Sequence, residues 1–128
     1  MAAVMSASPP GPDWHAAGNA ADFEDEDVEQ IWVGRFAVAV YKAKGQFYAT
    51  QDVCTHEHAY LSDGVVVDCV VECPFHQGRF DVRSGAAVGA PVIIPLRTFP
   101  VQVIDGRVFV RVSRDEAESL GETLPQPR

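Results

Sequence analysis

Two short segments of the sequence each place a cysteine close to a histidine. The first is CTH at residues 54–56 and the second is CPFH at residues 73–76. Thiolate and imidazole groups are ligands that zinc and iron–sulfur clusters accept in proteins. The sequence therefore predicts a metal site with four ligands: Cys54, His56, Cys73 and His76.

The way in which the ligands are paired separates two kinds of metal site. Zinc sites with two cysteines and two histidines usually take both cysteines from one segment and both histidines from the other. Here each segment offers one of each, which suits a two-iron cluster with both cysteines on one iron and both histidines on the other. A structural zinc module for protein interaction remains the alternative, and iron and acid-labile sulfide content would distinguish the two.

The bulk composition limits the class of protein. A chain of 128 residues has room for one domain, and its 47% hydrophobic content allows a buried core. The net charge of −8 disfavours nucleic acid and anionic membranes as partners. No apolar run is long enough for a membrane span, and the N-terminus does not resemble a secretory signal. We therefore expect a cytoplasmic protein. The chain is also expected to be a monomer.

Short runs of β-branched and aromatic residues, separated by turn residues, predict an all-β domain. Residues 1–12, rich in Ala, Ser, Pro and Gly, are expected to be a disordered leader. The domain is expected to span residues 13–113. The remaining residues, 114–128, form a tail in which Ser113 could cap a short helix. The predicted strands are 28–33, 36–41, 47–50, 65–67, 70–73, 79–82, 101–104 and 108–112.

The two metal-binding segments and their surroundings resemble a known family. CTHEHAYLSDG, followed by CPFHQGRFDVRSGAAVGAPVIIPLRTFPVQVIDGRVFV, is similar to the Rieske-type ferredoxins of bacterial aromatic-ring dioxygenase systems, and the likeness covers almost all of residues 13–112. The resemblance implies the Rieske fold, in which stacked antiparallel sheets carry a small cluster-binding subdomain with two loops. It implies one [2Fe–2S] cluster per chain, with Cys54 and Cys73 on the buried iron and His56 and His76 on the outer iron. It also implies a third covering loop at Gly89–Pro95, where Pro91 matches the loop proline of the family.

The same resemblance implies a function without catalysis. The chain would pass single electrons from an NAD(P)H-dependent ferredoxin reductase to a terminal Rieske non-haem iron oxygenase in aromatic compound degradation. Both would be transient protein partners, and the chain itself would have no catalytic residue. A small Rieske subunit of a nitrite-reductase-like enzyme is a further alternative within the resemblance.

The residues around the ligands predict a low reduction potential. Neutral imidazoles in place of two thiolates lower the negative charge of the site and raise its potential from about −400 mV into a range of about −150 to +300 mV. Respiratory Rieske proteins carry a loop disulfide and two hydroxyl groups that stabilise the reduced cluster. The matching positions here are Ala59 and Phe75 for the disulfide, and Gly78 and Phe80 for the hydroxyl groups. We therefore expect a potential near about −150 mV.

Other residues with reactive side chains are given structural roles. His58 is expected to be a polar loop residue, His15 a surface or hydrogen-bonded residue of a first strand, and Cys69 an unpaired thiol at a hairpin tip. An acidic run within residues 22–29 indicates either a docking site for a basic partner or a solvated segment. The solvated segment is favoured, because charge runs are common on soluble proteins.

Overall fold

The described residues form eleven β-strands, two short 3₁₀ segments and one α-helix. The computed structural model describes residues 8–55, 59–74, 78–89 and 94–123. The 3₁₀ segments are Ala20–Asp22 and Leu61–Asp63, and the helix is α1 (Arg114–Thr123). The strands are β1 (Trp14–Asn19), β2 (Val28–Val33), β3 (Phe36–Ala43), β4 (Gln46–Gln51), β5 (Val65–Val67), β6 (Val70–Glu72), β7 (Arg79–Asp81), β8 (Ala87–Gly89), β9 (Thr98–Phe99), β10 (Val101–Ile104) and β11 (Arg107–Arg111).

The described strands form three antiparallel sheets. Their strand orders are β1-β11-β10, β2-β3-β4-β9 and β5-β6-β7-β8. The second sheet is the middle layer, because its strand β3 is buried on both faces. Burial on both faces explains why β3 has a nearly continuous apolar sequence, FAVAVYKA, where a half-exposed strand would alternate.

Alternate residues of β3 supply two separate hydrophobic cores. Phe36, Val38 and Val40 pack with Val108 and Val110 of β11. Ala39, Tyr41 and Ala43 point to the other face and pack against the sheet formed by β5–β8. We call this second cluster the ligand-side core. It also contains the following buried residues: Cys54, Ala59, Leu61, Val66, Cys69, Val71, Cys73, Phe80, Val82 and Leu96.

Tight turns connect the hairpins as the sequence predicts. Asp105 and Gly106 both have positive φ, at 49° and 79°, the conformation that a two-residue hairpin turn requires. The β5–β6 turn has the same form at Asp68 and Cys69, with φ of 53° and 67°. Cysteine adopts this conformation only at a cost, so the surrounding contacts hold the turn.

The helix α1 packs on the face of the middle sheet opposite the ligand-side core. The backbone N–H of Glu116 donates to Ser113 Oγ at 3.1 Å, so Ser113 caps the first turn. Ala117 is buried and Leu120 is partly buried against the core that contains Val108 and Val110. A hydrophobic contact therefore fixes the helix to the domain.

The structure changes several predicted strand bounds by one or two residues. Strands β3 and β4 are longer than predicted, β6 and β7 each end one residue earlier, and β11 is shifted by one residue. Strands 28–33, 65–67 and 101–104 have the predicted bounds. Strands β8 and β9 were not predicted, because the sequence of β8, AVG, contains a residue that strands disfavour and β9 has only two residues. In the described ranges, α1 is too short and too polar to cross a lipid bilayer.

Candidate metal centre

The first predicted ligand segment is a loop closed by the backbone. After β4, the N–H of Cys54 donates to the carbonyl of Ala59 at 2.9 Å. Val53 and Tyr60 form an antiparallel bridge, and the N–H of Leu61 donates to the carbonyl of Asp52 at 2.7 Å. These contacts make residues 54–59 a closed loop, with Cys54 at its first closing position.

The second ligand segment repeats this construction. Cys73 follows β6, and its N–H donates to the carbonyl of Gly78 at 2.7 Å. The next pair outward is Glu72 with Arg79, which belongs to the β6–β7 ladder. In both loops the cysteine N–H therefore bonds to the carbonyl five residues later. Residues 56–58 and 75–77 lie outside the described residues, and His56, His58, Phe75 and His76 are among them.

The fold brings the two cysteines of these loops into the ligand-side core. Cys54 is 3% exposed and Cys73 is 1% exposed, and their neighbours there include Phe80 and Leu96. Burial of two thiols from separate loops in one apolar cluster fits ligands of an iron that is shielded from water. The donor set predicted from the sequence, two thiols and two imidazoles, fits a [2Fe–2S] cluster of the Rieske type.

Residues 94–97, which we call the third segment, lie against the first loop. Thr55 Oγ1 donates to the carbonyl of Ile94 at 2.8 Å, and Leu96 inserts into the ligand-side core. The N–H of Leu96 donates to the carbonyl of Gly85 at 2.8 Å, which ties the segment to the turn after β7. Of the covering loop expected at Gly89–Pro95, residues 90–93 lie outside the described residues, and Pro91 is among them.

Three buried polar side chains stand directly before the first loop, at Thr50, Gln51 and Asp52, which we call the polar stem. Within the described ranges they are the only buried residues of polar or charged type, with exposures of 0%, 2% and 0%. Tyr41 Oη and Thr50 Oγ1 are 2.8 Å apart, and Thr50 Oγ1 donates to the carbonyl of Gln51. Because unpaired polar groups are costly to bury, these hydrogen bonds are needed to keep the side chains of the polar stem buried.

Asp52 ties the far end of the first loop to the middle sheet. Its carboxylate accepts from the N–H and the hydroxyl of Ser62, each at 2.7 Å, and from Gln30 Nε2 at 2.7 Å. Burial raises the pKa of the Asp52 carboxyl, whereas the hydrogen bonds from Ser62 and Gln30 lower it. Sequence reasoning did not identify the polar stem; its only signal is three consecutive polar residues where β4 ends and the first loop approaches.

The remaining residues that the sequence analysis considered have structural positions. His15 lies in β1, and its Nε2 donates to the carbonyl of Val112 at 2.9 Å, as expected for a hydrogen-bonded strand histidine. Cys69 is a free thiol at the tip of the β5–β6 hairpin, as predicted. Its burial, with 1% exposed, was not predicted from its place in a turn.

Half of the carboxylates in the acidic run hold backbone N–H groups within the molecule. Asp25 accepts from Lys44 and Gly45, Glu26 from Asp68 at 2.8 Å, and Asp27 from Glu24 at 2.8 Å. The hydrogen bond from Gly45 is the largest influence lowering the pKa of Asp25. These contacts give the run a structural role that accounts for three of its acidic residues.

Comparison with known proteins identifies close relatives. The chain is 39% identical over 100 residues to the anthranilate 1,2-dioxygenase ferredoxin subunit of Burkholderia cepacia, an alignment that covers 78% of this chain and 93% of that protein. It is 40% identical over 100 residues to the ferredoxin component of the naphthalene 1,2-dioxygenase system of Pseudomonas putida, covering 78% and 96%. A chain from the solved complex of reduced oxygenase and oxidized ferredoxin in carbazole 1,9a-dioxygenase matches with a TM-score of 0.75 and 40% identity, covering 77% and 93%.

Residues 13–100 match the family described as the Rieske [2Fe-2S] domain. This range contains both closed loops and the third segment. The match and the structural likeness confirm the predicted all-β Rieske fold and the predicted class of cofactor, since the family carries a [2Fe–2S] cluster. The chain belongs to the Rieske [2Fe-2S] domain family.

Proposed function

We propose that this chain is a one-electron carrier that takes electrons from an NAD(P)H-dependent ferredoxin reductase and delivers them to a terminal Rieske non-haem iron oxygenase. The observation that carries the proposal is the meeting of Cys54 and Cys73, from two loops of the same construction, in one buried apolar cluster. The relatives support it, because they are named as ferredoxin components of dioxygenase systems and not as oxygenases.

The proposed ligands of the single cluster are Cys54, His56, Cys73 and His76. When bound, the cluster supplies a site that accepts and releases one electron. The chain contributes two thiolates from the ligand-side core, in which Phe80 and Leu96 are buried together with both cysteines. Water exclusion strengthens the hydrogen bonds and charges around the site, which makes its reduction potential sensitive to individual side chains.

The proposed setting of the carrier is the cytoplasm, where it acts as a monomer with transient partners. A reducing compartment suits a chain with three cysteines, of which two are assigned to the cluster and one, Cys69, is a buried thiol. The proposed substrate class of the partner oxygenase is aromatic compounds, which follows from the names of the relatives.

The cysteine ligands can be tested with a matched control, because the third cysteine is equally buried. Purified wild-type protein is expected to contain iron and acid-labile sulfide and to give a rhombic EPR signal after reduction. Cys54→Ala and Cys73→Ala are expected to lose the signal, while Cys69→Ala keeps it. Stoichiometric zinc in a colourless wild-type protein would refute the carrier and favour the interaction module.

Delivery of electrons is tested separately. The wild-type protein is mixed with a ferredoxin reductase, NADH and a terminal aromatic-ring oxygenase, and product formation is measured with and without the chain. Product that forms only in the presence of the chain would support the proposal. A chain that carries a cluster yet fails to accept electrons from any dioxygenase-system reductase would overturn the proposed partners.

A further inference from the structure

The side chain of Gln51 joins the third segment to the first ligand loop. Its Oε1 accepts from the N–H of Arg97 at 2.8 Å, and its Nε2 donates to the carbonyl of Val53 at 2.9 Å. The backbone N–H of Gln51 also donates to the carbonyl of Arg97 at 3.0 Å. One buried carboxamide therefore contacts two chain segments that are far apart in sequence.

The geometry of this bridge makes it selective for glutamine. The carboxamide is planar and has its acceptor and its donor at a fixed separation. When both hydrogen bonds form together, they set the distance between the Arg97 N–H and the Val53 carbonyl. Val53 immediately precedes Cys54, so the position of the cysteine backbone depends on the position of the third segment.

A second contact holds the other side of the same cysteine. Thr55 Oγ1 donates to the carbonyl of Ile94 at 2.8 Å. Ile94 and Arg97 are the first and last residues of the third segment. Leu96 lies between them and is buried in the ligand-side core. Cys54 is thus flanked by two residues, Val53 and Thr55, that are each tied to the same segment.

We propose that Gln51 is a positioning residue for the cluster, which fixes the first ligand loop against the third segment. This inference rests on the proposed function, because it assigns Cys54 as a ligand. The burial of Gln51 supports it, since a buried carboxamide is expensive to keep unless its bonds are needed. Residues that orient ligands in this way commonly change metal affinity by about 10- to 100-fold when they are replaced.

The test compares two glutamines of the same strand. Gln51→Met preserves side-chain length and removes both carboxamide bonds. Gln46→Met is the matched control, because Gln46 lies exposed at the opposite end of β4. Anaerobically purified holoprotein is measured for the rate of cluster loss in the presence of a chelator, for the EPR spectrum of the reduced state and for unfolding by denaturant.

We expect Gln51→Met to lose its cluster about 10- to 100-fold faster than wild type and to give a broadened or shifted EPR spectrum. Gln46→Met is expected to match wild type in both measurements. A lower unfolding free energy with unchanged EPR spectrum and unchanged cluster loss would show a purely structural role and overturn the proposal.

A second variant keeps the proposal testable if Gln51→Met does not fold. Thr55→Val preserves shape and removes only the bond to Ile94, at a site near the surface. Thr55→Val is also expected to lose its cluster faster than wild type. An unchanged rate would contradict the proposal that contacts with the third segment fix the first ligand loop. Wild-type protein without iron would instead refute the proposed function, so the two failures are distinguishable.

Discussion

The backbone N–H of Asp68 donates a hydrogen bond to Oε2 of Glu26, with 2.8 Å between nitrogen and oxygen. Glu26 precedes β2 of the middle sheet, and Asp68 lies at the tip of the β5–β6 hairpin in the sheet formed by β5–β8. The bond therefore joins two layers at a point where Lys44 Nζ also lies 2.9 Å from Asp68 Oδ1. The hydrogen bond from Lys44 is the main cause that lowers the pKa of Asp68.

Replacement of Glu26 should weaken this junction. Glu26→Ala is expected to lower the free energy of unfolding by about 1 kcal/mol, because it leaves the Asp68 N–H without its carboxylate acceptor. Glu26→Gln keeps an acceptor oxygen and should retain most of the stability. Glu24→Ala is the control, since Glu24 is exposed and its side chain has no hydrogen bond in the described structure. Equal stability of all three variants would contradict the role of the junction.

The exposed acids of the same run allow a test of docking. The double variant Glu24→Gln with Glu29→Gln removes two charges and leaves the carboxylates that bind backbone N–H groups in place. We expect the rate of reduction by the reductase to keep the salt dependence of the wild type, because the run has a structural explanation. A clearly shallower salt dependence in the double variant would instead support docking of a basic partner.

The aromatic ring of Phe80 allows a test of the predicted low potential. Phe80 is fully buried in the ligand-side core with Cys54 and Cys73, the two cysteines proposed as ligands. Phe80→Tyr is expected to raise the midpoint from about −150 mV, because a hydroxyl donor near sulfur stabilises the reduced state. Phe36→Tyr is the control in the other core. Voltammetry that gives the wild-type midpoint for Phe80→Tyr, or a midpoint above zero for the wild type, would refute the argument.

Two glycines with similar φ allow the cost of backbone strain to be distinguished from the cost of close packing. Gly45 and Gly85 have φ of 77° and 79°, so alanine at either position costs about 1 to 2 kcal/mol. A Cβ at Gly45 meets nothing within 4 Å among the described residues, whereas a Cβ at Gly85 overlaps the carbonyl oxygen of Leu96. Gly85→Ala should therefore destabilise the protein more than Gly45→Ala in denaturant unfolding. Equal losses would show that the third segment moves aside without cost.

The helix α1 lies beyond residues 13–100, the range that matches the family. Its docking can be broken by Ala117→Asp, which places a carboxylate at a buried position. We expect the free energy of unfolding to fall by at least about 1 kcal/mol, with Glu118→Ala as the exposed control. Since Glu116 pairs with Arg97 only at the surface, the EPR spectrum should not change. A changed spectrum would show that α1 helps to position the cluster.

The sequence by itself determined most of the strands, the main turns and the class of site, because these depend on neighbours in the chain. Asp105-Gly106 specifies its hairpin turn through two residues alone. The CTH and CPFH segments combine ligand types that few sites other than a Rieske centre use. The predicted fold and family are confirmed, while the assignment of the four ligands stays a prediction.

Only the tertiary structure decided which distant groups support that site. Gln51 and Arg97 are far apart in sequence, and no local pattern indicates that one carboxamide bridges them. The burial of Cys69 at a turn and the bond from Asp68 to Glu26 likewise depend on how the three layers stack. Strand propensity is a short-range property, whereas these contacts arise when separate sheets pack against each other, so they become visible only in the folded chain.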